Sequence, residues 1–178
     1  MIKLPAEAIY TLFVHRKDVF AEQMSSGIYI PIKRPITILD IREHIKGEKT
    51  LGVYCLNTDN TIRWVCIDLD GDDLAELDLI SKVIYDNIEG PKMREFSGRR
   101  GYHVWFFFNP PILADLGKRI ILSRLHKLTG LGKYELFPKQ TSLDPGRLYG
   151  NLVKLPLAKH RVSGKFSEIL QMEGIQFV

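Results

Sequence analysis

An apolar segment spanning residues 62 to 69, which leads into a pair of aspartates, constrains the fold more than any other feature of the sequence. Its β-branched and aromatic residues predict a buried strand. Asp68 and Asp70 stand at the end of this strand, two residues apart. Because side chains alternate along a strand, both aspartates are expected on the same face. Two carboxylates in this arrangement can share divalent cations through hard oxygen ligands.

The same aspartates also fit a second interpretation, in which the strand simply runs into an acidic turn. Asp72 or Asp73 can cap a following helix that extends to about Asn87 and stops at Gly90-Pro91. Spacing alone does not separate the two interpretations. Asp72 and Asp73 themselves are expected to be helix caps rather than metal ligands.

A basic, glycine-containing loop is the second feature that can carry chemistry. The loop Ser97–Gly101 follows a predicted strand over residues 93 to 96 and contains Arg99 and Arg100. Glycines around arginines allow backbone N–H groups and positive charge to approach a phosphate. His103 begins the next strand, where it could donate a hydrogen bond to a phosphate oxygen. Taken alone, the segment is more typical of a basic hairpin turn with a half-buried histidine.

A third group of polar residues lies at the ends of later strands. Glu135 falls in a strand-like run over residues 134 to 137 and is a candidate third carboxylate. Lys139, Lys154 and His160 are candidates for phosphate contacts. Asp144 is the other acid in this interval, but it precedes Pro145-Gly146 and is expected on a turn. Isolated charged residues of this kind are also common on exposed surfaces.

The remaining elements follow from hydrophobic periodicity and turn residues. Further helices are expected over residues 6–23, 37–46 and 112–128, and further strands over residues 50–56, 102–108 and 152–155. Strands 50–56 and 62–69 are expected to pair as a hairpin across the turn at 57–60. The apolar strand 102–108 is expected to be buried on both faces and to end at Asn109-Pro110-Pro111. The pattern predicts an α/β (α+β) protein with antiparallel pairing.

Charge and composition narrow the class of protein. The formal net charge is +4, but residues 68 to 89 are acidic and residues 92 to 165 are basic. This asymmetry suits a protein that holds phosphates beside a metal site, and two solvated faces would also account for it. Cys55 and Cys66 lie in apolar runs and are expected to be reduced core thiols, which predicts a cytoplasmic location. No apolar run is long enough to cross a membrane.

The segments together, in this order, resemble the archaeo-eukaryotic primase superfamily, especially the small primase-polymerases of mobile elements and CRISPR-associated loci. The segment from Cys66 to Asp70 is similar to the paired-acid motif of that family, and the segment from Ser97 to His103 resembles its serine-to-histidine motif. The stretches 135–140 and 150–157 resemble its third motif region. Weaker similarity in residues 12–21 and 44–54 extends the match over most of the chain.

The resemblance implies an RRM-like antiparallel sheet packed with helices, in a single catalytic domain of residues 1–178 whose residues 1–49 form an N-terminal helical lobe. It implies template-directed nucleotidyl transfer, as by a DNA primase or polymerase, with two Mg²⁺ or Mn²⁺ ions held by Asp68, Asp70 and Glu135. The expected nucleotide-binding residues are Ser97, Arg99, Arg100, His103, Lys139, Lys154 and His160. The expected partners are a DNA template and primer and nucleoside triphosphates, together with an accessory primase or helicase domain.

Three other functions fit parts of the pattern. Paired carboxylates also serve metal-dependent nucleases, although a basic glycine loop suits a triphosphate better. A glycosyltransferase can use an Asp-x-Asp pair, but no other segment supports one. A non-catalytic RRM-like module would stack bases on exposed aromatics of the strand 102–108, and it would leave the Asp68/Asp70 pair without a role.

Overall fold

The structure is a computed structural model that describes residues 2–176, and these residues form two antiparallel sheets and four helices. The helices are α1 (Ala6–Phe13), α2 (Ile38–Ile45), α3 (Leu74–Asn87) and α4 (Ala114–Leu125). The strands are β1 (Phe20–Gln23), β2 (Tyr29–Ile32), β3 (Leu51–Tyr54), β4 (Thr61–Asp70), β5 (Lys92–Phe96), β6 (Gly101–Leu113), β7 (Glu135–Phe137), β8 (Leu152–Lys154) and β9 (Glu168–Glu173). No helix of the described part of the chain is long and apolar enough to cross a bilayer.

The larger sheet is covered on both faces. Its strand order is β7-β4-β6-β5-β9, with every neighbouring pair antiparallel. Ile67 and Val104 on one face pack against α3 and α4, while Trp64 and Trp105 on the other pack in one core with α1, α2 and the smaller sheet. The prediction that the central aromatic strand is buried on both faces is therefore confirmed. Asp68 lies on the same face as Trp64, which turns it toward the smaller sheet.

The smaller sheet, of order β2-β1-β3-β8, shows that the predicted hairpin between strands 50–56 and 62–69 is wrong. The turn itself forms, since the Asn57 N–H donates to the Thr61 carbonyl at 3.0 Å. The strands on either side then separate: β3 pairs with β1 and β8, and β4 pairs with β6 and β7. The turn residues favour a hairpin between β3 and β4, but the long ladder between β4 and β6 forms instead.

The N-terminal segment is only partly helical. The expected helix over residues 6–23 ends at Phe13, and Val14 is already extended. Phe20 begins β1, which pairs with β2. β2 is the edge strand of the sheet and carries Pro31, whose missing N–H is tolerated there. Ile9 and Phe13 are buried as the periodicity predicts. The error arises because the buried Phe20 continues the helical spacing, whereas it belongs to a strand.

Two further boundaries differ from expectation. β6 does not stop at Asn109-Pro110-Pro111 but continues to Leu113, because its pairing with β4 resumes beyond a register shift between Ile62 and Trp64. The two prolines fall at this irregularity, where the ladder lacks hydrogen bonds. Consequently α4 begins at Ala114 rather than at Ile112. The edge strand β9 was not predicted.

The predicted cap of the helix after the acidic pair is confirmed at Asp73, and α2 is capped as well. Thr37 forms a capping box with Asp40 at the start of α2, and the Asp73 carboxylate accepts hydrogen bonds from the N–H groups of Ala75 and Glu76 at the start of α3. Cys55 and Cys66 are buried free thiols, also as expected. Asp73 therefore serves as a helix cap, as expected, rather than as a metal ligand.

His44 on α2 joins three segments of the core, and it makes the stability of the fold sensitive to acid. Its Nδ1 accepts the Leu51 N–H at 2.9 Å and its Nε2 donates to the Pro156 carbonyl at 3.0 Å. Only a neutral imidazole can do both. Burial accordingly lowers the pKa of His44 to about 3. A depressed pKa means that this contribution to stability is complete above the unfolded-state pKa and is lost as the pH falls toward the folded-state pKa.

We therefore expect the free energy of unfolding to fall by roughly 3 kcal/mol between about pH 6.5 and pH 4 through His44 alone. The His44→Gln variant keeps a donor for the Pro156 carbonyl and has no group that titrates. It should be less stable at neutral pH, and the difference from the wild type should shrink as the pH falls. Urea unfolding at several pH values measures both curves, and parallel curves would contradict the prediction.

Candidate active site

A row of four polar side chains crosses the larger sheet. The register pairs Asp68 on β4 with Glu135 on β7 and with His103 on β6, and it pairs His103 with Glu95 on β5. Directly opposed residues of antiparallel strands point to the same face. Glu135, Asp68, His103 and Glu95 therefore follow one another across the face that is turned toward the smaller sheet. The sequence did not reveal this row, because it depends on which strands pair.

His103 lies between two carboxylates of this row. Its Nδ1 is 2.6 Å from Glu95 Oε1, and its Nε2 is 3.5 Å from Asp68 Oδ1. Burial by itself would lower the pKa of His103, but the charges of Asp68 and Glu95 outweigh burial and raise it. The two carboxylates therefore stabilise the charged form of the ring, in which both nitrogens donate, relative to a free histidine.

Asp68 and Asp70 face different surroundings although they share one side of β4. The Asp68 side chain is 28% exposed, and its partial burial raises its pKa, opposed by His103 and helped by Asp70 and Glu135. Asp70 is half-exposed and accepts a hydrogen bond from Arg100 Nη2 at 2.7 Å. Asp68 is therefore a carboxylate whose charge is poorly compensated by the protein itself.

These residues open into a pocket of about 230 Å³ between the two sheets. Seven of the predicted site residues line it: Asp68, Asp70, Ser97, Arg99, His103, Lys154 and His160. Gln23, Tyr29, Phe137, Leu152 and Val153 complete its walls. Two carboxylates and several basic groups thus face one space.

Three predicted site residues lie outside that lining. Arg100 is turned toward Asp70, as described above. Glu135 Oε1 is 3.0 Å from Lys139 Nζ, so these two residues neutralise each other at the exposed edge of the sheet. Glu135 is nevertheless the register partner of Asp68. The structure brings it next to the acidic pair without turning its carboxylate into the pocket.

Lys154 supplies buried positive charge from the smaller sheet. Its ammonium donates to the Leu155 carbonyl at 3.2 Å and is almost fully shielded from solvent. Burial lowers the pKa of Lys154, while Glu95 and Asp68 oppose that change. An ammonium has three donors, so Lys154 retains donors for an anion in the pocket.

A segment over residues 158–167 holds the Ser97–Gly101 loop in place, and sequence reasoning missed it. Ser163 Oγ donates to the Gly98 carbonyl at 2.6 Å. Gly98 has φ +89°, and a Cβ there would lie 3.2 Å from the Lys165 carbonyl oxygen. Glycine is therefore required by both the backbone conformation and the close approach of this segment. His160 reaches the pocket from the same segment, and burial lowers its pKa, with Lys154 adding to the effect.

The donor set of the pocket suits a hard divalent cation. Asp68 and Asp70 offer carboxylate oxygens, and a bound cation would offset the cost of burying the charged form of Asp68. Within residues 2–176, however, no three or more His, Cys, Asp or Glu side chains are arranged to hold a metal. A complete site therefore needs oxygen atoms from water, from a substrate or from a third side chain.

The fold and the site define a primase-polymerase domain of the archaeo-eukaryotic primase superfamily. A family model for the archaeo-eukaryotic primase domain of TOTE conflict systems matches residues 6–176, and the chain belongs to this family. No curated protein matches the chain in sequence.

One solved structure supports the fold assignment. The archaeo-eukaryotic primase domain (PP-N190) of the cyanophage S-2L primase-polymerase aligns with a TM-score of 0.59 at 12% identity, over 97% of this chain and 91% of that chain. At this identity the likeness concerns the fold, a mixed α/β arrangement with antiparallel sheets. The predicted fold class and the predicted family are thus confirmed.

Proposed function

We propose that the chain is a metal-dependent nucleotidyltransferase that extends nucleic acid from nucleoside triphosphates, as a DNA primase or polymerase does. The observation that carries the proposal is the composition of the pocket between the sheets. The Asp68 and Asp70 carboxylates face the same space as the cationic groups of Arg99 and Lys154. A triphosphate with its divalent cations needs both kinds of group side by side. Membership of the primase family supports this assignment.

The basic residues of the pocket are assigned to the triphosphate. Arg99 lies on the glycine loop and can bind two phosphate oxygens through its guanidinium. Lys154 adds charge from the opposite wall, and His103 directs Nε2 into the space beside Asp68. Ser97 and His160 lie close enough to add hydrogen bonds. We assign these residues to binding and orientation rather than to proton transfer.

Asp68 and Asp70 are proposed to hold Mg²⁺ or Mn²⁺. When bound, such ions lower the pKa of the attacking hydroxyl and neutralise charge on the leaving pyrophosphate. Glu135 is proposed as the third ligand, because it is the register partner of Asp68. Its ion pair with Lys139 would have to open, which would free the ammonium of Lys139 for phosphate or template. Arg100 is likewise assigned to phosphate or template, for which its ion pair with Asp70 would have to open.

We further propose that residues 1–178 act as one catalytic domain on a DNA template and primer in the cytoplasm. The support is that α1, α2, the smaller sheet and one face of the larger sheet share a core. We also propose that the chain works with an accessory primase or helicase domain, and that it acts within a conflict system.

Two of the three alternative functions, the base-stacking module and the nuclease, are affected differently by the structure. A base-stacking module needs exposed aromatics on β6, but Trp105, Phe106 and Phe107 are buried, which argues against it. A nuclease would use the same two carboxylates, and the basic residues in the pocket walls favour a triphosphate over it.

Primer extension tests the proposal. The purified protein is incubated with a 5′-labelled primer annealed to a longer template, with each set of nucleoside triphosphates and with Mg²⁺, Mn²⁺ or EDTA. Longer products that depend on metal and follow the template are expected. Products shorter than the primer would indicate a nuclease instead. Binding of the labelled strand without any change in its length would favour a binding module.

A further inference from the structure

Glu95 is a buried acid that the proposed chemistry does not use. It lies on β5, between His103 on β6 and Ile169 on β9, and its side chain is 0% exposed. An ionised carboxylate in such a position is costly unless it is well paired. Oε1 contacts His103 Nδ1 at 2.6 Å, whereas Oε2 has no hydrogen-bond partner within the described residues. The contact with His103 is therefore the principal interaction of this carboxylate.

The contact with Glu95 fixes the direction of the histidine ring. With Nδ1 directed at a carboxylate that can only accept, Nδ1 must carry a hydrogen. Nε2 then points the opposite way, toward Asp68 and the pocket. The Trp105 ring meets the imidazole edge to face, with centroids 5.8 Å apart and planes at 85°. Rotation of the ring by 180° would exchange these contacts and place a carbon atom toward Glu95.

We propose that Glu95 is a positioning residue for His103: it accepts the Nδ1–H hydrogen bond and thereby holds Nε2 toward the phosphates of the incoming nucleotide. The inference rests on the proposed function for its ligand, and on geometry for the orientation of the ring. Carboxylates that orient a histidine in this way change the affinity of a site without contacting its ligand.

A different role for Glu95 has to be separated from this one. Lys154 is buried in the same region, and the charge of Glu95 favours its protonated form. If Glu95 served only as a counter-charge for Lys154, its removal would weaken anion binding whether or not His103 were present. If it acts through His103, removal should have no effect once the imidazole is gone.

The experiment combines a double-mutant cycle with NMR of the histidine ring. The cycle contains the wild type, Glu95→Gln, His103→Ala and the double variant. Glu168→Gln is a matched control, since it makes the same change on the adjacent strand β9, away from the pocket. A fluorescent nucleoside triphosphate with Mn²⁺ is the probe for affinity. Nitrogen-15 labelling of histidine reports which ring nitrogen carries hydrogen.

Glu95→Gln is expected to raise the Kd for the nucleotide about 10-fold in the wild-type background and to leave it unchanged in the His103→Ala background. In the wild-type spectrum, His103 should show a protonated Nδ1 with a far-downfield proton that exchanges slowly. Glu95→Gln should move or remove that signal, and Glu168→Gln should leave it in place.

Equal losses of affinity in both backgrounds would overturn the proposal, and so would an unprotonated Nδ1 in the wild type. The wild-type spectrum decides the question even if Glu95→Gln does not fold. Failure of the proposed function gives a different result. In that case the wild type would not bind nucleotide or extend a primer, while the His103 signal would still depend on Glu95.

Discussion

Replacing Asp68 with asparagine is expected to reduce nucleotide incorporation roughly a thousandfold or more, without destabilising the protein. The amide has no negative charge to offer a divalent cation. The substitution lowers activity but should not lower stability, because burial and neighbouring acids already raise the pKa of Asp68. An uncharged side chain of the same shape removes that repulsion, so the melting temperature should be unchanged or higher.

Two other variants serve as comparisons for Asp68→Asn. Asp70→Asn should also abolish incorporation, with little effect on stability, since its ion pair with Arg100 is half-exposed. Glu135→Gln should reduce the rate less than either aspartate variant, because Glu135 lies outside the pocket lining and is paired with Lys139. Primer extension and thermal unfolding measure both properties. Near-normal incorporation by Asp68→Asn would refute its assignment as a metal ligand.

Gly101→Ala adds only one methyl group, and it is expected to lower both the stability of the protein and its activity. A Cβ at this position would lie 2.0 Å from the Leu69 carbonyl oxygen and 3.1 Å from the Asp70 Cα, and both are backbone atoms of β4. Gly101 is the register partner of Asp70, so the strands must separate at the acidic pair itself. We expect a loss of about 3 kcal/mol in the free energy of unfolding.

The loss of activity should exceed what the loss of stability explains. Displacing the end of β4 by about 1 Å is enough to reduce catalysis about a hundredfold, even at a temperature where the variant is fully folded. Gly71→Ala is the matched control. Its Cβ would meet the Leu77 Cδ1 at 3.5 Å, an ordinary contact. Gly71→Ala should retain stability and incorporation, and equal behaviour of the two variants would show that the close approach at Gly101 is unimportant.

Strand periodicity was enough to predict much of the pocket. The alternation along β4 placed Asp68 and Asp70 on one face, and the loop before β6 placed Arg99 and His103 at the start of another strand. Both predictions depend only on local spacing, and the structure brings these residues to one pocket. Their chemical roles remain predictions.

Long-range pairing accounts for what the sequence could not show. Glu95 stands in the charged-looking strand Lys-Met-Arg-Glu-Phe, which gives no sign that it is fully buried. Only the pairing of β5 with both β6 and β9 buries it. The same is true of the expected hairpin, where the turn chemistry at 57–60 was identified correctly but the partners of β3 and β4 lie elsewhere in the chain. Glu135 was placed beside Asp68, but its ion pair with Lys139 was not foreseen.

The order in which the pocket walls occur along the chain has a consequence for synthesis on the ribosome. The acidic pair and His103 belong to β4 and β6, whereas β8 supplies Lys154 and the segment over residues 158–167 secures the glycine loop. A nascent chain that has emerged only as far as α4 carries both aspartates but lacks Lys154 and His160. Because such non-local pairings form late, nucleotide binding should begin only after residues up to about 167 have left the exit tunnel. Chains that stop before β8 therefore carry the acidic pair without Lys154 and His160.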